Sequence, residues 1–488
     1  MIESIALSLL LLGSPLVEAV KQHDTAAVRD LLQKRADVNL PAGDGATALH
    51  WAVYGDDAAL VDLLLAAGAK VNVANDLAVT PLHLASAAGN APIVTRLLDK
   101  GANPNAESET GVTPLMEAAR SGSVDAVRAL IARGAGVNAR ERDRGQTALM
   151  WAVARQHPAV VQALLEHGAD VHARTRARPL MVMLDQGPRR TVKTSMQDAR
   201  QIKVGGSTAL VFAAEVGDAK SAQHLLAAGA NVNDTAADGS SALVRAAFAG
   251  QPAVARVLID AGADVNAAGA GYTALHAAAL RGDLATVNAL LVTGADPDVQ
   301  LTKGSPVRRF GSQWALPTPM TGATPLLVAA TYLEVEILRA LLQARADHRL
   351  GLVSGGATPL LAAAGIAVEK EARPSDLARW NIVDSDTPSV PRAETDVLEA
   401  TTLLLDAGAD VNQSNESGDT ALHAAAAAGL TRVIQLLAER GASLDATNQA
   451  GQTPLALTLP RSRPDGRPGE ASGNKAAEEL LRKLGATQ

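Results

Sequence analysis

Apolar residues recur along the chain in short clusters of fixed design. Each cluster begins with Thr or Ser, continues with Ala or Pro and then Leu, and usually has Ala five residues after its start. The clusters start at Ser14, Thr47, Thr80, Thr113, Thr147, Thr208, Ser241, Thr273, Thr324, Thr358, Thr420 and Thr453. Eight of the eleven spacings are 32 to 34 residues, and the other three are one period plus an insertion. The sequence therefore predicts twelve repeats of one structural unit.

Each repeat carries the signals of two helices joined by a turn. The Thr or Ser can cap a free amide, and Pro fits the first turn of a helix. A second helix with apolar residues at helical spacing follows, as in residues 59–65, and ends at a Gly-Ala pair such as Gly68 or Gly101. Glycine there can take the left-handed backbone that ends a helix. A polar, extended hairpin then leads to the next repeat.

The repeat resembles the ankyrin repeat. The segments TALHWA at Thr47, TPLHLA at Thr80 and TALHAA at Thr273 and Thr420 recur at the ankyrin period, each followed by a second helix. The resemblance implies an all-α ankyrin-repeat solenoid of about twelve helix-turn-helix repeats with short β-hairpin fingers, continuous over residues 14–488. Residues 144–174 and 418–429 most resemble the long, often exported, bacterial ankyrin proteins. Arg35 and Arg345 depart from the pattern, because glycine usually stands there.

Four insertions interrupt the period. Residues 174–205 enlarge a finger and carry a net charge of +6, and residues 301–321 form a second basic and aromatic finger at +3. Residues 367–395 lie between the two helices of their repeat, and residues 460–474 form a Pro, Gly and Arg-rich loop before a predicted closing helix. The whole chain has 51 acidic and 44 basic residues, a net charge of −7. An acidic scaffold with two cationic fingers is therefore predicted.

Residues 1–13 lie outside the repeating pattern. They contain an apolar run over residues 5–12, which has the length of a signal-peptide core but lacks a basic residue before it. The run is too short to span a bilayer. Two interpretations stay open: a signal-peptide remnant, which predicts a periplasmic or extracellular protein, or an apolar cap on the first repeat, which fits a cytoplasmic one.

Candidate chemistry is sparse in this sequence. The chain has no cysteine, which excludes disulfides, thiolate metal sites and a cysteine nucleophile. His50, His83, His276 and His423 hold one position of the repeat, where the resemblance implies hydrogen bonds that tie loops together. The spacing of His157, His167 and His172 matches no zinc signature. No catalytic motif, metal site or cofactor site is predicted, and the protein is expected not to be an enzyme.

The scarce aromatic residues point to a binding surface. The resemblance places partners on the concave face, which is formed by the fingers and by positions seven and eight after each helix start. Aromatic and Arg residues there, with those of the second insertion, are the predicted protein contacts: Tyr54, Arg120, Arg155, Phe248, Tyr272, Arg281, Arg308, Arg309, Trp314 and Tyr332. The densest group predicts a central contact around repeats eight to ten. By contrast, Trp51, Trp151 and Phe212 are expected to face the stack.

The function predicted from these residues is a non-enzymatic scaffold that binds protein partners. The first insertion would steer approach by its charge. Two alternatives are an enzyme whose site is built from the insertions and a polyanion binder that uses the basic fingers. The first insertion has no aromatic residues among its cations and the scaffold is acidic, which argues against a dedicated nucleic-acid site. In the second insertion, Trp314 could instead hold its own loop against a neighbouring repeat.

Overall fold

The computed structural model describes residues 14–183, 199–304, 320–365, 394–459 and 474–487. These residues form two helices in each of the twelve repeats. The first helices are α1 (Pro15–Lys21), α3 (Ala48–Tyr54), α5 (Pro81–Ala88), α7 (Pro114–Ser121), α9 (Ala148–Ala154), α11 (Ala209–Val216), α13 (Ala242–Ala249), α15 (Ala274–Arg281), α17 (Pro325–Tyr332), α19 (Pro359–Ala364), α21 (Ala421–Ala428) and α23 (Pro454–Thr458).

The second helices carry the even numbers. They are α2 (Thr25–Gln33), α4 (Ala58–Ala66), α6 (Ala91–Asp99), α8 (Val124–Ala132), α10 (Pro158–Glu166), α12 (Ala219–Ala227), α14 (Pro252–Asp260), α16 (Leu284–Val292), α18 (Val335–Gln343), α20 (Glu394–Asp406), α22 (Thr431–Glu439) and α24 (Lys475–Leu484). The all-α repeat fold predicted from the sequence is confirmed. Two strands, β1 (Arg178–Met183) and β2 (Ala199–Val204), pair as a two-stranded sheet in the first insertion.

Polar side chains start the helices as the sequence predicts. Thr113, for example, accepts a hydrogen bond from the amide of Met116 at 3.4 Å. A second helix can start at an acidic side chain instead. At the start of α4, the Asp57 carboxylate accepts a hydrogen bond from the amide of Leu60 at 2.9 Å. Since each cap pairs an amide that the helix leaves free, these residues fix where each helix begins.

Histidine adds a second bond at four helix starts. The amide of Thr47 donates to Nδ1 of His50 at 3.1 Å, so that Nε2 carries the proton and donates to the carbonyl of Val79 at 3.1 Å. His83, His276 and His423 make the same pair of bonds. The predicted role of these histidines is confirmed, because each one ties a helix start to the next finger.

The repeats pack through apolar side chains on both helices. Each first helix contacts the first helix of the next repeat from α1 to α11 and from α13 to α23, and each second helix contacts the next second helix from α4 to α12 and from α14 to α24. Leu49, Leu82, Leu115 and Leu149 repeat in the first helices and are fully buried, as are Leu97, Leu130 and Leu164 in the second helices. Contacts of α9 with α11 and of α10 with α12 continue the stack across the first insertion.

The chain divides into two compact units. The N-terminal unit comprises residues up to 178 together with 205–236, and the C-terminal unit comprises 179–204 and 237–488. The single continuous domain predicted from the repeats stays a prediction. Residues 1–13 lie outside the described residues, so their interpretation as signal or cap also stays open. Within the described residues, no helix is long and apolar enough to cross a membrane.

The fingers of the N-terminal unit are joined to each other. Within one finger, the amide of Asn75 donates to the carbonyl of Val79 at 2.9 Å. Between fingers, the amide of Asp76 donates to the carbonyl of Asp44 at 3.1 Å, and the amide of Glu109 donates to the carbonyl of Leu77 at 3.2 Å. Successive fingers therefore form a continuous row, which we call the finger row (residues 42–46, 75–79, 108–112 and 141–146).

Arg345 replaces glycine at the end of α18 and has a left-handed backbone, with φ of +65°. At the equivalent positions Gly68 and Gly408 have φ of +88° and +97°. A side chain there strains the backbone, so Arg345→Gly should raise the free energy of unfolding by about 1 kcal/mol. Chemical denaturation measures the gain, and Arg345→Ala is the control because it keeps the Cβ atom. Equal stability of the two variants would contradict the strain argument.

Candidate protein-binding surface

The most exposed aromatic side chain of the N-terminal unit is Tyr54, at the end of α3. It is 71 % exposed, and its ring meets Trp51 edge to face with ring centroids 5.8 Å apart. Lys21 belongs to the preceding repeat, and its ammonium lies 4.5 Å from the centroid of the Trp51 ring. The three side chains thus form an aromatic surface with a cation already in place, and the tyrosine ring remains open to solvent.

A row of apolar side chains continues from this pair across the first helices. Trp51, Leu84, Trp151 and Phe212 each stand four residues after a helix start, and all are half-buried. Part of each ring is covered and part is open, so the expectation that Trp51, Trp151 and Phe212 face the stack stays a prediction. Glu117 occupies the same position, and a charged residue there indicates contact with water. We call these four side chains the apolar row.

Two predicted contacts lie near the apolar row. Arg120 is exposed at the end of α7 and pairs with Glu117, with 2.6 Å between Nη2 and Oε2. Arg155 is exposed at the end of α9, and its side chain makes no ion pair with any residue that the structure describes. Both positions agree with their expected exposure, and their contact with a partner stays a prediction.

Tyr272 does not lie on an open surface. It is 5 % exposed and packs against half-buried Phe248 with ring centroids 5.7 Å apart. Burial raises the pKa of its hydroxyl to about 12. The expectation of an exposed finger contact at Tyr272 is wrong, because glycines at 239 and 269 let two fingers approach until a Cβ on Gly269 would lie 2.6 Å from the Gly239 carbonyl oxygen.

Arg281 has a structural partner. Its Nη2 donates to the carbonyl of Ala249 at 3.2 Å, and its guanidinium covers Gly250 at the end of α13. Burial of this half-buried side chain lowers its pKa. The guanidinium therefore satisfies a free carbonyl at a helix end, a role that the sequence pattern did not indicate.

The surroundings of Tyr332 are closed. Tyr332 is half-buried at the end of α17, while Leu280, Val328 and Thr331 at neighbouring first-helix positions are 1 %, 0 % and 7 % exposed. The first helices of this region therefore do not present an open binding surface around repeats eight to ten. The remaining predicted contacts of this region lie outside the described residues: Arg308, Arg309 and Trp314.

Two cations of the first insertion are held by the repeats. Arg174 donates through Nη1 to the carbonyl of Thr235 at 2.7 Å and pairs through Nη2 with Asp234 at 2.6 Å. The guanidinium of Arg176 donates to the carbonyl of Arg142. The predicted steering role of this insertion therefore excludes these two residues, which join neighbouring fingers instead.

Two titratable side chains of the N-terminal unit, those of Glu141 and His157, contact backbone groups and so stabilise the fold. Glu141, which is buried, accepts hydrogen bonds from the amides of Asp143, Arg144 and Gln146 and so closes its finger. His157 contacts the carbonyl of Arg120 at 3.1 Å. Within the described residues, no group of His, Asp and Glu could hold a metal ion.

Comparison with protein families agrees with this geometry. The family model for ankyrin repeats, built from three copies, matches residues 16–108, 82–175, 180–268, 210–301 and 393–461. The chain therefore belongs to the ankyrin-repeat family. Members of this class are generally protein-interaction modules and typically not enzymes. The comparison with curated proteins gave no match.

Proposed function

We propose that this protein is a non-enzymatic scaffold that binds a protein partner on the N-terminal unit, across the apolar row and the finger row. The exposed ring of Tyr54 beside Trp51 carries this proposal, since partially exposed aromatic residues and arginines dominate the energetics of protein interfaces. Arg120 and Arg155 extend the surface along the first helices. The proposal moves the main contact away from repeats eight to ten, where the corresponding positions are buried.

The rigid stack supports equilibrium binding rather than chemistry. Within the N-terminal unit, backbone hydrogen bonds join neighbouring fingers and His50 and His83 each tie a helix start to the next finger, so the surface is ordered before a partner arrives. A preformed surface lowers the entropy lost on binding. The bacterial character belongs to the same proposal and rests on the resemblance described above. Both interpretations of residues 1–13, a signal-peptide remnant of an exported protein and an apolar cap of a cytoplasmic one, stay predictions.

Affinity capture tests the proposed surface. The full chain is immobilised, exposed to an extract of its native source, and the bound proteins are quantified by mass spectrometry. Tyr54→Ala should weaken the binding of the partner by about 2 kcal/mol, which is a loss of affinity of roughly 30-fold and reduces the amount captured. Val292→Ala is the matched control, because Val292 is 90 % exposed at the end of the second helix α16. Equal capture by both variants would refute the proposed surface.

A further inference from the structure

The first insertion contains a small sheet with unpaired outer edges. Strands β1 and β2 pair with each other, and no further strand joins them among the described residues. Each strand therefore offers one edge of backbone N–H and C=O groups to another chain. A sheet of two strands is only marginally stable by itself, so a third strand would stabilise it. We call this element the insertion sheet (residues 178–183 and 199–204).

Both faces of β1 are open to solvent. Leu180 and Met181 are consecutive, so their side chains point to opposite faces of the sheet, and they are 45 % and 61 % exposed. On β2, Gln201 and Lys203 are exposed on one face, whereas Ile202 on the other face is half-buried. Large apolar side chains that stay exposed beside an unpaired strand edge indicate a surface for a partner.

Proline distinguishes the two edges of the insertion sheet. Pro179 in β1 has no amide hydrogen, and proline in an edge strand leaves a missing donor on the solvent side. The strand β2, with the sequence ARQIKV, contains neither proline nor glycine, so every residue of it keeps its amide donor. The outer edge of β2 is therefore the edge that can accept an added strand, a recognised mode of binding extended peptides.

The insertion sheet begins at an ordered base. The amide of Thr175 donates to the carbonyl of Ser207 at 3.0 Å, and the amide of Ser207 donates to the Thr175 hydroxyl at 3.0 Å. Gly205 has a left-handed backbone with φ of +88°, and a Cβ atom there would collide with the carbonyl oxygen of Arg176. Because the base is ordered before binding, less entropy is lost when a third strand is added.

Charge determines which strand fits the edge of β2. Arg178 and Lys203 are exposed and make no ion pair with any residue that the structure describes, and neither strand contains an acidic residue. Pairing of β2 with β2 of a second copy would bring like charges onto one sheet, which opposes self-association. A strand with carboxylates on the Lys203 face gains opposite-charge pairs instead.

We propose that the outer edge of β2 binds an extended segment of a protein partner in which acidic and apolar residues alternate. The segment forms a third strand whose backbone pairs with β2. Its carboxylates lie beside Lys203, and its apolar side chains lie beside half-buried Ile202 and Val204 on the other face. The inference goes beyond the proposed function, because this site uses neither Tyr54 nor the apolar row.

Fluorescence anisotropy with labelled peptides tests strand addition on the full chain. The probe is the peptide EVEVEVE, and two derivatives of it are N-methylated, one at the three valines and one at the last three glutamates. Amides of alternate residues in a strand point to the same side. One derivative should therefore lose at least about tenfold in affinity while the other binds like the probe. Equal binding of the two derivatives, or no binding of EVEVEVE, would overturn the inference.

Charge variants of the chain locate the site. Lys203→Glu should weaken EVEVEVE binding about fivefold and strengthen the binding of KVKVKVK by a similar factor, since it reverses the cross-strand charge pair. Lys220→Glu is the matched control, because Lys220 is exposed on the second helix α12 and its replacement changes the net charge equally. Both variants should melt like the unchanged chain. Equal effects of the two variants would show attraction to overall charge and would overturn the β2 site.

Two further outcomes separate this inference from the proposed function. Tyr54→Ala should leave EVEVEVE binding unchanged. If the peptide fails to bind while capture of the native partner still depends on Tyr54, the proposed scaffold function stands and the strand-binding site is refuted. If sedimentation shows a dimer of the chain that EVEVEVE dissociates, the edge of β2 pairs with a second copy and the acidic partner is refuted.

Discussion

Replacing Leu164 with Ala is expected to lower the free energy of unfolding of the N-terminal unit by about 2–5 kcal/mol. Leu164 lies in α10, is fully buried, and belongs to a helix that contacts α8, α9 and α12. Removing its side chain leaves a cavity that close-packed second helices on both sides cannot fill. Because repeats depend on their nearest neighbours, the loss also weakens the repeats on either side.

Urea denaturation followed by circular dichroism measures this loss. Gln162→Ala is the control on the same helix, since Gln162 is exposed and its replacement should change the free energy of unfolding by less than about 0.5 kcal/mol. Equal midpoints for the two variants would show that α10 does not carry stacking energy. A separate early transition in Leu164→Ala would show that the N-terminal unit unfolds by itself.

Acid is expected to destabilise the C-terminal unit through His276. Burial lowers the pKa of this imidazole to about 4, while its Nε2 donates to the carbonyl of Ala323 at 3.0 Å. The unfolded imidazole binds a proton near pH 6.5, and the folded one resists protonation down to about pH 4. Stability is therefore retained above pH 6.5 and falls between pH 6.5 and 4, by up to about 3 kcal/mol.

Denaturation at several pH values tests this linkage. His276→Gln should be less stable at pH 7.5 than the unchanged chain and should lose less stability as the pH falls to 4.5, because the titrating group is gone. His172→Gln is the control, since His172 is exposed on a finger. Parallel pH profiles for His276→Gln and the unchanged chain would contradict the assignment. Burial also lowers the pKa of His50 and His83, which adds acid sensitivity to the N-terminal unit.

The repeat itself could be predicted almost completely from the sequence. The starts of the first helices depend on local signals, namely a hydroxyl residue followed by Pro or Ala, and these signals hold for the twelve odd-numbered helices from α1 to α23. The closing helix α24 also lies where its apolar spacing predicts it. By contrast, residues 174–205 were predicted only as an enlarged finger and not as strands of given length, because residues 178–183 and 199–204 show no clear alternation of apolar and polar positions.

Exposure was harder to predict than helix position. The period fixes where a residue stands in its own repeat, but burial depends on the side chains of the repeats beside it. Tyr272 is buried because glycines let its finger approach the preceding one, and Arg281 is held by a carbonyl of the previous repeat. Seven residues after the helix start, Tyr54 is 71 % exposed, whereas Leu280 at the same position of its repeat is 1 % exposed. One sequence position can thus be open in one repeat and closed in another.

The finger row also gives the N-terminal unit a mechanical property. Its tips are joined one to the next by single backbone hydrogen bonds, as from Asp76 to Asp44 and from Glu109 to Leu77. A force applied to the two ends of this unit is carried from repeat to repeat by these bonds together with the helix packing, so the repeats are loaded in series and one repeat is expected to yield before the others. Release of a repeat of 33 residues lengthens the chain by roughly 110 Å. Under tension the unit extends in steps of that length rather than rupturing at once.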